Sequence, residues 1–513
     1  MNIVYILCDE LRADSLGYMG NEEVQTPHID ALAQDSVIFE NAYCNSPMCV
    51  PSRVSLATGR HALSHGAIDN MLKPKPSEVS LASLLQQAGY DTFNHGKWHS
   101  NIDPLEFGMA RSHSGLSDLR APESHVSCFG ISDKATREGA EYFKNNGEVS
   151  LIISGTRPSH KDDTLDTVVT KNFIREIEAI KDQGSPMFAH LSIMDPHTPY
   201  LPAEPYASMY DPNSLAMPES INDDLASKPR LQRYFYHARG FDQLQEQDYR
   251  KTKAAYYGSI SHVDERVGMV TDYLKQQGLY DSSLIVFTAD HGSMMGEHGF
   301  VEKWGHLYEP VVRVPLLIKL PDNQSGGKRL NSFVESVDIM PTILDLLKLP
   351  IEDNIHGVSL LPYIQGQISS HKNRVFAQYF CQGLQDESAL MVRDETWKLT
   401  VYPCGGTLED KLFVDHPLRM SPLFDGEDVL GELYNLKTDP NERINLFNDP
   451  NFSNIKFRYI QDIDNWITSL GDSISFNGKL PSRMCGMYSL LQGSNMQRLD
   501  HALSGENKLN YIV

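Results

Sequence analysis

An α/β layer fold built on a large, mostly parallel sheet is what this sequence predicts, on three observations. Strand-like and helix-like segments alternate through the first ~370 residues. Several of the strand-like segments are unbroken apolar runs, which is how a strand buried on both faces reads. Four of them lead straight into acidic, basic or histidine residues, as expected where an open parallel sheet presents the carboxyl ends of its strands to a ligand.

Asn2–Cys8 (Asn-Ile-Val-Tyr-Ile-Leu-Cys) is the first buried strand. Thr26-Pro27 marks a helix start, with Thr as N-cap and Pro at the first helical position. Ser80–Ala88 reads as an amphipathic helix ended by Gly89, and Tyr90–Asn94 as the next strand. Met187–Met194 is a strand broken by Asp195-Pro196, Ser283–Thr288 is another buried strand, and Val314–Leu320 a further one. A helix over Ile339–Leu347, after Asp338, closes this part. Composition then shifts: Gln365–Asn373 is polar and reads as a linker. Short β segments follow at Val375–Phe380, Ala389–Arg393 and Trp397–Tyr402, with Asp394-Glu395 as a hairpin turn, and Glu432–Leu446 holds a strand and a Pro-containing turn. The expected organisation is a main domain over residues 1–370 and a C-terminal α+β subdomain over 371–513 with a small antiparallel sheet. The last ~30 residues carry no assignable pattern.

Composition narrows the function. The 513 residues are 41% hydrophobic and 22% charged, which suits a packed chain of two or three domains. A formal charge of −22 disfavours nucleic acid and anionic membrane as partners. An anionic substrate would therefore need a local cluster of Arg, Lys, His and metal. No run of ~18 apolar residues occurs. The first residues show no charged n-region or cleavage site, so a cytoplasmic location is expected unless a leader has been trimmed. Seven cysteines (Cys8, Cys44, Cys49, Cys128, Cys381, Cys404 and Cys485) are scattered and lack CxxC spacing, which argues against a disulfide framework or a zinc site.

The strand ends carry the candidate chemistry. The first delivers Asp9-Glu10, and the strand from Tyr90 delivers Lys97 and His99 in Gly-Lys-Trp-His. Met187–Met194 delivers His197, and Ser283–Thr288 delivers Asp290-His291. Singly, each has a bland reading: a strand-end turn, a helix cap or a solvated lysine. Three carboxylates and an imidazole together make a hard, oxygen-rich set suited to Ca²⁺ or Mg²⁺, with Mn²⁺ admitted by the nitrogen.

Between these strands lies Cys49-Val-Pro-Ser-Arg-Val-Ser-Leu-Ala-Thr-Gly-Arg60. With Pro51, Arg53, Thr58, Gly59 and Arg60 in register, it resembles the sulfatase signature, Cys-x-Pro-x-Arg, a short helical stretch and Thr-Gly-Arg. In isolation Cys49 would be a small buried residue before a helix. The resemblance implies a formylglycine-dependent sulfatase of the alkaline-phosphatase-like superfamily. A formylglycine-generating or sulfatase-maturing enzyme would oxidise Cys49 to an aldehyde, whose hydrate attacks the sulfur of a sulfate ester. One divalent metal is implied, Ca²⁺ first, with Asp9, Glu10, Asp290, His291 and the modified Cys49 as ligands. Relatives often have Asp in place of Glu10, and many have Asn in place of His291. Arg53, one helical turn on, would hold the hydrated nucleophile, which sits at a helix N-terminus. Lys97 and Lys303 match two sulfate-binding lysines. His99 is the implied base for sulfate release, and His197 with Lys303 would serve the departing alcohol. Gly296-Glu-His-Gly299 and Arg313-Val-Pro-Leu316 fit the family's surroundings of Lys303, whereas Ser100-Asn101 replace a common Leu-Gly.

His306 is evenly balanced between pocket and core, His95 adjoins the site, and His28, His61 and His65 read as structural or solvated. Residues 100–185, where the resemblance is weakest, and 201–250 are expected to form substrate-choosing loops. Two other readings stay open. One is a phosphonate monoester or phosphodiester hydrolase of the same superfamily; the other is a non-catalytic binding protein with unmodified Cys49. A sulfated mono- or disaccharide is the first expectation for the substrate, with aryl and choline sulfates as alternatives; homo-oligomer formation is left open.

Overall fold

The computed structural model describes residues 1–113, 140–145, 148–381, 384–402 and 429–470. Eight strands form the main sheet: β1 (Ile3–Cys8), β2 (Val37–Tyr43), β3 (Asp91–Gly96), β4 (Arg111–His113), β5 (Met187–Ile193), β6 (Leu284–Ala289), β7 (Leu316–Lys319) and β8 (Arg329–Glu335). Their order is β8-β2-β7-β6-β1-β5-β3-β4, and β7 alone runs against the other seven. β1 lies between β5 and β6 and is buried at every position, which accounts for its unbroken apolar sequence. Cys8 pairs with Ile193 on one side and Ala289 on the other, so the residues that follow these three strands emerge at one edge.

Among the described residues the α-helices of seven residues or more are α1 (Pro27–Gln34), α2 (Cys49–Thr58), α3 (Leu81–Gln87), α4 (Leu165–Ile180), α5 (Arg230–Ala238), α6 (Glu246–Gln276), α7 (Ile339–Leu346) and α8 (Ser453–Ser469). Ser80 caps α3 through a reciprocal hydrogen bond with Ser83, and Gly89 follows with φ 85°. At α1, Pro27 takes the first position as expected, but the Thr26 hydroxyl does not cap the helix. It accepts from Gly17 N, and the N–H groups of His28 and Ile29 instead donate to Asp264 on α6.

β2, β8 and the 31-residue α6 are not announced by any local pattern in the sequence. The buried side of α6 carries Tyr249, Thr252, Ser259 and Asp264 among its apolar residues, which blurs the helical period. Residues 201–229 are turns and loops, as expected, whereas α5 and the start of α6 occupy the rest of that stretch. The polar segment 365–373 is anchored near its end: Lys372 Nζ donates to Glu335 Oε2 at 2.6 Å and to Asp338 Oδ1 at 2.7 Å.

A second, antiparallel sheet follows: β9 (Arg374–Cys381), β10 (Leu384–Asp394), β11 (Trp397–Val401) and β12 (Gly431–Asn435), in that order. Asp394 makes the β10–β11 turn by accepting from Thr396 N and Trp397 N, both at 2.9 Å. Alternation divides its faces. Val375, Ala377, Tyr379, Ala389 and Met391 join the main core, while Leu390, Val392, Leu399 and Val401 pack with Tyr459, Ile460 and Ile463 of α8. Cys128, Cys404, Cys485 and the last ~30 residues lie outside the described residues; Cys8, Cys44 and Cys49 are buried free thiols. Among the described residues no helix is long and apolar enough to cross a membrane.

Gly96, at the end of β3, has φ 90°, and a Cβ there would stand 2.0 Å from the Ser192 carbonyl oxygen. Gly96→Ala is expected to destabilise the fold by about 2–4 kcal/mol. A lowered thermal midpoint, with loss of activity through the adjoining Lys97, is the readout.

Candidate active site

The edge where β1, β5 and β6 end is held by backbone bonds before any side chain is considered. Asp9 N donates to Ile193 O and Asp290 N to Cys8 O, each at 3.1 Å. Asp290 then organises its neighbours: its Oδ1 accepts from Glu10 N at 3.0 Å and His291 N at 2.9 Å. The α2 N-terminus docks against this edge, with Ser52 Oγ donating to Asp290 O at 2.6 Å. Cys49 opens α2, while Gly59, with φ 66°, ends it, and Arg60 pairs with Glu78 at 2.8 Å. The two halves of the Cys49–Arg60 motif thus do different work: the first faces the cluster, and the second shapes the helix exit.

Asp9, Cys49, Asp290 and His291 are all fully buried or nearly so, and each offers a ligating atom within 4.8 Å of the others. Cys49 Sγ lies 3.4 Å from His291 Nε2 and 3.8 Å from Asp9 Oδ1. His291 Nδ1 is 3.0 Å from the Gly292 carbonyl oxygen, which can only accept, so Nδ1 carries a proton and Nε2 is the atom turned to the cluster. Two carboxylates and an imidazole nitrogen, beside the Cys49 sulfur, form a donor set that fits a divalent cation. Glu10 is placed differently. Its Oε1 accepts from Ser293 Oγ at 2.7 Å and Tyr200 OH at 3.1 Å, and its Oε2 accepts from Lys303 Nζ at 2.7 Å. With Asp9 and His197 it forms an adjoining group; His197 Nε2 is 3.6 Å from Glu10 Oε2.

The cations gather as the chain's net charge requires. Arg53 reaches Asp290 Oδ2 at 2.9 Å and Asp9 Oδ2 at 3.3 Å, and bonds Lys97 O at 2.9 Å and Ser192 Oγ at 2.8 Å. Lys97 Nζ pairs with Asp9 and lies 3.6 Å from Cys49 Sγ. His99 follows at the same strand end with φ 42°. Burial would raise the Cys49 thiol, but Lys303 and Lys97, aided by His197 and His291, hold it well below its ordinary range. Burial and the Cys49 charge would raise Asp9; Lys97, His197 and Arg53 outweigh them and hold it low. Asp290 is raised by burial and by the Asp9 charge beside it. Lys303, despite burial, is raised by Cys49 and Glu10. A buried thiol with anionic partners on one side and ammonium groups on the other marks a place where a tetrahedral anion can be bound and polarised.

The remaining histidines fall elsewhere. His306 is buried between Phe300 and Tyr308, ring centroids 5.0 and 5.4 Å away. His61 stacks on His356 at 5.5 Å, His65 Nε2 meets Ser55 Oγ at 3.0 Å, and His28 packs against Gly268. His95 points to Glu176 on α4. Tyr200, Ser192 and Ser293 touch the cluster's side chains, although no sequence motif singles them out. Ser293 stands three residues after Asp290 and Tyr200 three after His197, and that proximity to the motifs is the only signal they offer.

The Sulfatase family model matches residues 1–349, and the model for the C-terminal part of N-sulphoglucosamine sulphohydrolase matches residues 296–409. An arylsulfatase of Clostridium perfringens is 32% identical over 405 residues, 74% of this chain and 81% of its own. A multifunctional alkaline phosphatase superfamily protein of Trinickia caryophylli is 28% identical over 510 residues, 92% of this chain and 96% of its own. The solved structure of a phosphonate monoester hydrolase from Silicibacter pomeroyi matches with a TM-score of 0.74 at 25% identity, over 92% of this chain and 96% of that one.

Proposed function

The chain belongs to the sulfatase family and is a sulfuric ester hydrolase, and from that premise we propose that it hydrolyses the sulfate ester of a small carbohydrate by way of a formylglycine at position 49. One observation carries the reading: ligating atoms of Asp9, Cys49, Asp290 and His291 lie within 4.8 Å of one another, under the ammonium groups of Lys97 and Lys303. A divalent cation held there by Asp9, Asp290 and His291, with Ca²⁺ the first choice for so oxygen-rich a set, would supply Lewis-acid polarisation of a sulfate oxygen. Glu10, whose carboxylate lies with Asp9 and His197, would complete that set or brace Lys303 beside it. A formylglycine at position 49 would supply, as its hydrate, a nucleophile with a second hydroxyl from which sulfate can be released.

The chain's own groups do the rest. Arg53 fixes both carboxylates and, through Lys97 O, the end of β3. Lys97 and Lys303 bind the non-bridging sulfate oxygens, and their charge is worth most in so dry a site. His197, whose Nδ1–H is tied to the Thr198 carbonyl, would as the doubly protonated imidazolium give its Nε2 proton to the departing alkoxide, with Lys303 beside it. His99 takes a proton when sulfate leaves. His99→Ala is expected to lower kcat by about 10²–10⁴ with KM falling in step as the sulfated intermediate accumulates, measured by steady-state hydrolysis of an aryl sulfate.

A sulfated sugar is favoured by the match of residues 296–409 to the N-sulphoglucosamine sulphohydrolase model. A second reading, hydrolysis of a phosphonate monoester, has support in the TM-score of 0.74 to the Silicibacter pomeroyi enzyme along almost its whole length. Rates on a panel of sulfated mono- and disaccharides, an aryl sulfate and an aryl phosphonate monoester separate the two. The sulfate reading expects the largest kcat/KM on a sulfate ester, and a large preference for the phosphonate overturns it.

A further inference from the structure

At the far edge of the main sheet, two imidazoles and a carboxylate from three different elements meet at one point. His95 on β3 and His113 on β4 are register partners on adjacent parallel strands, so their side chains share a face of the sheet. Their rings lie 4.6 Å apart at an interplanar angle of 30°. Glu176 comes from α4, which packs on β3 and β5. Its Oε2 is bonded to His95 Nε2 and lies 3.5 Å from His113 Nε2. Arg111, also on this face two residues before His113, holds the other oxygen, Oε1, and pairs with Asp91 at 2.8 Å. Phe173, edge-on to His95 at 6.0 Å, backs its ring.

We propose that His95, His113 and Glu176 form a second divalent-metal site, of the zinc class, separate from the catalytic cluster. The three ligating atoms lie within 4.8 Å of one another. Zinc–ligand bonds of about 2.0–2.2 Å place donors around one ion within roughly 4 Å of each other, so a small rotation of Glu176 away from His95 opens the centre. Two nitrogens and one oxygen select a borderline ion, whereas the carboxylate-rich cluster around Asp9 and Asp290 selects a hard one. Charge agrees: with neutral imidazoles, Glu176 and Asp91 exceed Arg111 by one negative charge. Arg111 fixes Glu176 from behind, as a ligand carboxylate is commonly oriented. His113, with 48% of its side chain exposed, leaves the fourth position facing solvent. An ion there would join β3, β4 and α4 two residues before Lys97.

The test counts zinc in the full-length protein, because the catalytic cluster can also take this ion. Wild type, His113→Ala, Glu176→Gln and Asp290→Asn are each equilibrated with Zn²⁺, desalted and analysed for bound metal. Wild type and Asp290→Asn are expected to retain a zinc equivalent that His113→Ala and Glu176→Gln lack. Added zinc should raise the melting temperature of wild type by a few degrees more than it raises that of His113→Ala, in which only the catalytic cluster can take the ion. Equal zinc content in wild type and both folded ligand variants overturns the proposal, as does a zinc-binding loss confined to Asp290→Asn. Should His113→Ala fail to fold, Glu176→Gln, which keeps the side-chain shape, decides the question by its zinc content alone.

Discussion

Cys49→Ala is expected to reduce sulfate-ester hydrolysis by a factor on the order of 10⁵ or more, since it removes the group proposed to form the covalent bond. The fold should survive. Cys49 opens α2 but makes only sulfur contacts longer than 3.3 Å with its neighbours, while α2 is held by the Ser52 bond to Asp290 and by the Val50 and Val54 cluster with Ala67. A far-ultraviolet spectrum and melting curve close to wild type, together with lost turnover, are the expected pair of results. Turnover retained in pure Cys49→Ala protein would mean that another residue is the nucleophile.

The second large effect is expected at Asp290. Its carboxylate caps two backbone N–H groups with Oδ1 and meets Arg53 with Oδ2. Asp290→Asn keeps the shape but removes the charge, so metal affinity should fall and kcat/KM should drop by about 10³. It also leaves Arg53, with a side chain only 3% exposed, with Asp9 as its one remaining carboxylate. Breaking a buried charge pair from one side costs about 3–5 kcal/mol at most, less here because Asp9 remains. A lower melting temperature should accompany the loss of activity, and excess metal should restore part of both. Unchanged metal binding in Asp290→Asn would place the cation elsewhere.

Much of this architecture is legible in the sequence because its strands obey a strong physical rule. β1, β5 and β6 are buried at every position, so their largely apolar runs, interrupted only by His190 and Ser192 in β5 and Thr288 in β6, mark both their positions and where they end. The residues just beyond them are therefore assignable to one sheet edge from the sequence. Segments whose burial rests on tertiary contacts are less legible. β2 couples a short apolar run to Glu40-Asn41, and α6 buries tyrosines, serines and an aspartate that exist to bind other elements. Asp264, for example, caps α1 from far along the chain, a bond that no local pattern announces.

In the site, motif residues fall where strand ends put them, but side-chain direction is decided by partners. Glu10 shows this most clearly. Directly after Asp9 it reads as a fellow ligand, yet Ser293, Tyr200 and Lys303 draw its carboxylate toward His197. The longer side chain has the reach to do so, and none of those partners is visible from the Asp9-Glu10 pair alone. His95 is the converse. It adjoins the Gly-Lys-Trp-His stretch, but strand alternation turns it to the face of the sheet where α4 brings Glu176.

The identity of the side chain at position 49 in active enzyme decides whether this chemistry operates. Mass spectrometry of the peptide spanning residues 49–53, taken from protein made alongside a sulfatase-maturing enzyme and divided into fractions of differing specific activity, tests it most directly. The predicted result is an aldehyde in place of the thiol, in a proportion that rises in step with activity. Full activity in protein whose Cys49 is entirely unmodified thiol would contradict a formylglycine mechanism.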